Sequence, residues 1–380
     1  MSGLAGGFRR LGALRLSTLA AAGATATLLA ASPPTRRLVM SAAGAAGRAA
    51  QFLATGSVRY TAGAYEAAAR RWAADGSEAA VAAAALDGKH YVVSGANAGL
   101  GLEVARGLAA HGGVVHLLCR SEQRGRAAVE ELVVDGAAAA AAGGDVDRGA
   151  AEADLRRRVL LHVVDISSLA SIDTFAAGYL ADGTPLHGLV NNAGVMLDTV
   201  IPSADGIESV FATNTLGTFA LTERLLPAAV ATPGPSVVVV VSSAGMLTAD
   251  LEVEGVATAA TVRDSPPASP GGASRPDSGG TLVAGARQDG SAAYAVTKRQ
   301  QLALVEAWAA TAPPGVAFHA CHPADQWEAM RARLGSGGFW FDRAPAAKHL
   351  WLGGTGYDEG APAALVAELR ALVDAKGQGV

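Results

Sequence analysis

The chain has 380 residues, half of them hydrophobic and 5% aromatic, with a formal charge of −4 at neutral pH. That length holds one large α/β domain plus extensions, and the mild acidity argues against nucleic acid as a partner. Cys119 and Cys321 both stand in apolar runs without metal-ligand spacing, so they read as packing residues of a reducing compartment, and no metal is expected.

The amino terminus is unlike the rest. No acidic residue precedes Glu66, whereas Arg9, Arg10, Arg15, Arg36, Arg37, Arg48 and Arg59 are set among Ala, Ser and Thr. That composition predicts an organelle transit peptide over residues 1–50, mitochondrial or plastid. The apolar run 16–31 is shorter than the roughly 20 residues that cross a bilayer, so a membrane anchor or a disordered tail stays open beside that reading. Residues 51–86 are expected as helices leading into the core, with Arg70-Arg71-Trp72 touching a membrane surface or the domain.

The core is expected over residues 87–345, starting with the buried strand Lys89-His90-Tyr91-Val92-Val93. It opens into Ser94-Gly95-Ala96-Asn97-Ala98-Gly99-Leu100-Gly101, and helical spacing follows over 102–111. Strand, glycine turn and helix start together make an anion site, because free N–H groups and the helix dipole face a phosphate. A second strand, Val114-Val115-His116-Leu117-Leu118-Cys119-Arg120, ends where an adenine ribose would lie. An acidic residue there suits NAD(H); Arg120 favours the 2′-phosphate of NADP(H). Residues 136–154, beginning with a run of Ala and Gly, read as a low-complexity insertion.

Third and fourth strands close at Val163-Val164-Asp165-Ile166 and at Leu189-Val190-Asn191-Asn192-Ala193-Gly194. Asp165 could accept from an adenine amine, and the Asn-Asn-Ala-Gly turn lets backbone pass close to a flat ligand. Asn214 sits in a helical stretch where Asn has poor propensity and so needs a reason. The valines 237–241 form a buried strand from whose end Ser242 and Ser243 emerge, at the edge where open α/β sheets bind ligands. Residues 255–290 read as a second insertion, disordered where Pro, Gly and Ser accumulate over 264–290. In Tyr294-Ala295-Val296-Thr297-Lys298 a phenol and an ammonium lie one helical turn apart, and the cation is expected to lower the phenol's pKa.

These motifs in this order resemble the short-chain dehydrogenase/reductase superfamily over roughly residues 87–323. Within it the chain resembles the retinol-dehydrogenase-like branch, on Tyr60-Thr61-Ala62-Gly63-Ala64-Tyr65-Glu66, Val115-His116-Leu117-Leu118-Cys119-Arg120, Ser242-Ser243-Ala244-Gly245-Met246-Leu247, Lys298-Arg299-Gln300-Gln301 and Gly338-Phe339-Trp340-Phe341-Asp342-Arg343. The resemblance implies a doubly wound, Rossmann-like α/β sheet in a single domain. It implies a cofactor site of Ser94 (in place of the usual Thr), Gly95, Asn97, Gly99, Leu100, Gly101, Arg120, Asp165, Ile166, Asn192, Ala193, Gly194, Tyr294, Lys298 and Pro323. The catalytic set implied is Asn214, Ser243, Tyr294 and Lys298. Tyr294 would move the proton, Ser243 steady the oxygen, Lys298 hold the ribose and depress the phenol's pKa, and Asn214 anchor a water relay. Two copies would pair through the helices bearing Asn214 and Tyr294.

One departure stands out. The sixth strand, 316–322, ends in His322-Pro323-Ala324, where the family has Pro-Gly and a Thr-containing loop over the substrate. Only fourteen residues, 324–337, precede the seventh strand at Gly338. A parallel crossover uses about ten to twelve, so a substrate lid is expected to be missing. Residues 346–380 hold a last amphipathic helix over 361–375. The expected function is NADP(H)-linked interconversion of an alcohol and a carbonyl on a small, apolar substrate. The alternative is a dinucleotide-binding protein with impaired catalysis.

Overall fold

In the computed structural model the described residues are 86–144, 146–253, 260–263, 282–322, 338–341 and 356–377, with a few single positions besides. Apolar runs of four to six residues become the strands β1 (His90–Ser94), β2 (Val114–Cys119), β3 (Val159–Val163), β4 (Gly188–Asn191) and β5 (Ser236–Val241). Two short strands, β6 (Val262–Arg263) and β7 (Leu282–Val283), pair only with each other. Then come β8 (Val316–Cys321), β9 (Gly338–Phe341) and β10 (Ala344–Pro345). The main sheet runs β10-β9-β8-β5-β4-β1-β2-β3 and is parallel except where β10 folds back on β9.

Alternate side chains of each strand enter opposite layers. Val92 and Leu118 pack into one core; Tyr91, Val93, Leu117 and Cys119 pack into the other. The second core is covered by α1 (Gly99–Ala110), α2 (Glu122–Ala142) and α3 (Arg148–Arg158), through Leu102, Ala105, Leu132 and Leu155. The first is covered by α4 (Leu169–Ala181) and by a composite helix made of α5 (Ser209–Phe211), a π-helical turn (Ala212–Gly217) and α6 (Thr218–Ala231). The helices α7 (Gly290–Ala310) and α8 (Ala361–Gly377) complete that layer. Both cysteines are buried and free, in β2 and β8.

Residues 136–154, read as a low-complexity insertion, are largely helical. They are the second half of α2 and most of α3, with Ala137, Ala151 and Leu155 buried in the core. Alanine is the best helix former, and its small side chain lets two helices approach closely. A Cβ on Gly136 would meet Leu155 at 2.9 Å. Gly144, at φ +88°, ends the turn, and the Asp147 carboxylate accepts from the N–H of Ala150 to start α3. Arg158 then donates to the carbonyls of Ala109 and Gly113, tying α3 to the turn before β2.

The stretch 255–290 also departs from expectation in part. Its Pro- and Ser-rich middle lies outside the described residues, but its last part is folded. The Gly285 N–H donates to the Val200 carbonyl, the Val200 N–H donates to the Ala286 carbonyl, and Ala286 is buried. The Gln288 amide donates to the carbonyl of Leu197 and to Glu208. These bonds seat the start of α7, whose first turn is capped by the Asp289 carboxylate accepting from Ala292.

Along α8, Leu365, Leu369, Leu372 and Val373 face the core. Arg370 pairs with Glu223 of α6, and Lys376 donates to the carbonyl of Asp205. The helix thus covers a flank of α7, the helix on which pairing of two copies was expected. Residues 1–69 and 323–337, including Pro323 and the shortened segment, lie outside the described residues.

Under the first core runs a row of imidazoles from three neighbouring strands. His90 Nδ1 meets His116 Nε2 at 3.0 Å, and His116 Nδ1 meets His162 Nε2 at 2.9 Å. A neutral imidazole has one N–H and one lone pair, so a neutral row satisfies both bonds with a single polarity. Burial holds all three below the usual histidine value, His116 at about 3, helped there by the neighbouring rings.

Candidate active site

Strand order reverses between β4 and β1, which opens a crevice past their carboxyl ends. The loop after β1 turns at Gly95 (φ +66°) and Gly99 (φ +56°). Gly101 is required by contact: a Cβ there would lie 2.4 Å from the Asn192 amide nitrogen and 2.5 Å from the Gly95 carbonyl. That amide nitrogen donates to the carbonyls of Ser94 and Gly95, so Asn192 clamps the glycine loop to the turn after β4. Helix α1 follows with Ala98 at its cap and no side chain bonded to its first turn. Its leading N–H groups remain for an anion.

Ser94 does not face the cleft. It is buried, and its hydroxyl oxygen accepts from the N–H groups of Asn192 and Ala193, both at 3.0 Å. It positions the 192–194 turn, and this corrects the expectation of a direct cofactor contact.

The cleft encloses about 610 Å³ and runs from Arg120 and Asp165 at one end to Tyr294 and Lys298 at the other, past Gly95, Asn97, Leu100, Asn192, Ala193 and Gly194. At the first end Arg120 is joined by Arg124, which the sequence reading missed. Both are exposed, and neither is in an ion pair among the described residues. Their spacing of four, across the helix start at Ser121, was a readable signal. Asp165 accepts from the Ser167 N–H and hydroxyl, which fixes its carboxylate beside Val164 and Ile166.

At the other end, Tyr294 and Lys298 stand on successive turns of α7. The ammonium is 2% exposed, donates to the Val241 carbonyl at 2.7 Å and to Gln301 Oε1 at 3.0 Å, and lies 5.2 Å from the Tyr294 ring centre. Burial lowers its pKa to about 7, opposed by Cys321. The Tyr294 phenol sits above its usual value because burial outweighs its hydrogen bond with Ser243. The expectation that the cation lowers the phenol is therefore not met. Burial lowers Lys298 itself to about 7, so it is only partly charged at neutral pH, and burial is the leading influence on the phenol.

Ser243 also accepts from Gly245, capping the 3₁₀ turn Ala244–Thr248 that leaves β5, while Ser242 donates to the Lys298 carbonyl and fixes α7 to the strand end. Asn214 is fully buried in the π-helical turn. Its amide accepts from the Val195 N–H and donates to the Val195 carbonyl and the Thr297 hydroxyl, so the side chain holds the loop after Gly194. Its main-chain carbonyl accepts from Gln301 at 2.6 Å. The next turn is equally tight: a Cβ on Gly217 would lie 2.0 Å from the Ile166 carbonyl. Met196, 58% exposed, and Leu100, 51% exposed, put apolar surface at the cleft mouth.

A family model described as short chain dehydrogenase matches residues 125–254. Dehydrogenase/reductase SDR family member 12 of Bos taurus is 30% identical over 276 residues, covering 73% of this chain and 71% of that protein; the Homo sapiens protein of that name is 31% identical with the same coverage. Retinol dehydrogenase 12 of Homo sapiens is 39% identical over 138 residues, 36% of this chain and 38% of that one. The fold is shared with an uncharacterised protein from Mycobacterium paratuberculosis, at a TM-score of 0.54 and 23% identity over 77% of this chain and 97% of that one. The chain belongs to the short-chain dehydrogenase/reductase family. It is an oxidoreductase that acts on CH–OH donors.

Proposed function

We propose that this chain interconverts an alcohol and a carbonyl on a small, apolar substrate with NADP(H), Tyr294 exchanging the proton. The observation that carries it is a single cleft with Tyr294, hydrogen-bonded to Ser243, and a buried Lys298 at one end, and at the other two guanidiniums in no ion pair among the described residues. The residues present fit a dinucleotide: the glycine loop leaves a cradle that a Cβ would fill, and the start of α1 offers N–H groups for a diphosphate. Arg120 and Arg124 would hold the 2′-phosphate, Asp165 and Ile166 the adenine side, and Asn192, Ala193 and Gly194 the turn under the nicotinamide. Leu100 would flank the diphosphate and Pro323 follow β8 on the nicotinamide side.

When bound, the nicotinamide supplies or accepts the hydride. The protein's own contribution is the proton. A phenol held above its usual pKa is protonated at neutral pH, so Tyr294 is poised to donate to a carbonyl oxygen while Ser243 binds the same oxygen. The reverse reaction draws the proton back onto the phenolate. Apolar substrate is supported by Met196 at the mouth, and by a relative named for retinol.

Fluorescence of NADPH on binding, then a panel of aldehydes with Tyr294→Phe as control, tests this reading. Tyr-dependent turnover is expected, with binding unchanged in the variant. A second reading, cofactor binding with little turnover, is favoured by one observation. Strand β9 pairs parallel with β8, so residues 322–337 must make the whole crossover. About ten to twelve residues are needed for that alone, which leaves little chain for a lid that excludes water. Binding without Tyr-dependent turnover would select it. The acid-free, arginine-rich residues 1–50 support delivery to an organelle, with imaging of a fusion to residues 1–60 as its check.

A further inference from the structure

We propose that Gln301 is a positioning residue of this reaction, its side-chain amide bridging the Lys298 ammonium and the main-chain carbonyl of Asn214. The inference rests on the reading of Tyr294 and Lys298 given above. Gln301 follows Lys298 by three residues on α7, so both side chains leave the same face of the helix. It is fully buried. Its Oε1 accepts from Lys298 Nζ at 3.0 Å; its Nε2 donates to the Asn214 carbonyl at 2.6 Å and to the Thr218 hydroxyl at 3.3 Å.

The amide's orientation is fixed by chemistry. Turned over, it would set an NH₂ against an ammonium and an oxygen against a carbonyl, two repulsions in a fully buried site. Every donor and acceptor it carries is used as drawn. A buried ammonium has three N–H groups; Val241 and Gln301 take two from known directions, which leaves the third for the cleft that Lys298 lines. Without the bridge the ammonium would lose one of its two fixed partners and its aim.

The titratable groups facing Lys298 are Tyr294 from its own helix and Cys321 from β8, with His322 just beyond the strand end, its ring accepting from the Ala244 N–H. Asn214 and Val241 present only neutral groups. The chain has four lysines, Lys89, Lys298, Lys348 and Lys376, so an NMR spectrum of protein carrying ¹³Cε-lysine is sparse enough to titrate one by one, with Lys298→Arg as the assignment control.

In the unloaded protein, Gln301→Glu places a carboxylate where the amide oxygen was and should raise the Lys298 titration by about one unit or more. Gln301→Ala should bind NADPH within about threefold of wild type and lower kcat about tenfold, since reacting groups lose alignment before they lose the cofactor. A Lys298 resonance that titrates at the same pH in wild type and Gln301→Glu overturns the bridge. So does a crystal structure with the Gln301 amide beyond hydrogen-bond reach of Lys298, a test that needs no variant. Full turnover in Tyr294→Phe would instead sink the reading of the site, while leaving the lysine titration to judge Gln301 separately.

Discussion

The two ends of the cleft hold their chemistry by different means. At the nucleotide end the work is done by backbone: two left-handed glycines, a third with no room for a Cβ, and an uncapped helix start. At the reactive end it is done by buried side chains, in which Asn214, Thr297, Lys298 and Gln301 satisfy one another through hydrogen bonds. The lesson is that the first end fails when an atom is added, and the second when a polar atom is removed.

The sharpest break falls on the reactive end. Tyr294→Phe keeps the ring and removes the proton carrier, so kcat should drop by about a thousandfold or more while NADPH affinity stays within about threefold. Stopped-flow turnover beside fluorescence titration separates the two, and a variant with ordinary turnover would contradict the assignment. On the nucleotide end, Gly101→Ala drives a methyl into Asn192 and the Gly95 carbonyl. NADPH binding should weaken by about thirtyfold or more, with a thermal midpoint lower by several degrees. Unchanged calorimetric affinity would mean the loop has slack that the contacts deny.

A smaller effect is expected from charge. Replacing Arg120 and Arg124 together by Ala should cost about tenfold or more in NADPH affinity, close to 1.4 kcal/mol, with little change for NADH. Equal losses for both nucleotides would remove the arginines from 2′-phosphate recognition.

The smallest effect lies away from the cleft, in the imidazole row of His90, His116 and His162. Burial holds their folded pKa values below the unfolded value of about 6.5. Folded, they stay neutral; unfolded, they take up protons as pH drops. Stability from this row is therefore complete above pH about 6.5 and is lost as pH falls below it. His319 and His322, each lowered by burial to about 4, add in the same sense. Thermal midpoints should be level from pH 8 to 7 and decline by several degrees toward pH 5, with a shallower decline in His116→Gln. A level profile down to pH 5 would show that the row is protonated in the fold.

How much of this could be read from the chain divides along the same line. Backbone devices leave a residue signature, so Gly95, Gly99 and Gly101 after a valine strand located the cradle. The runs of valine and leucine likewise placed β1, β2, β4 and β5 nearly to the residue. Side-chain commitments leave no such mark. Ser94 is of a type that could touch a cofactor, and only the fold shows its hydroxyl turned inward to Asn192 and Ala193. The Lys298 spacing announced a partner for Tyr294 but not that Val241 and Gln301 would claim the ammonium. Composition did not disclose the helices over residues 136–154, because alanine and glycine repeats are as compatible with two closely packed helices as with irregular chain. Gln288 and Ala286 show the converse, a segment that reads as disordered yet is pinned by backbone pairing with the 197–208 loop.

The close crossing of Gly217 over the Ile166 carbonyl bears on both ends at once. Ile166 lines the cleft beside Asp165 and Gly217 lies in the turn that carries Asn214, and the Ile166 carbonyl and Cγ2 leave no room for a Cβ on Gly217. The separation between the two ends is thereby limited where Gly217 abuts Ile166, like the jaws of a caliper locked at one opening. A fragment that reaches only one jaw should bind without tightening the other.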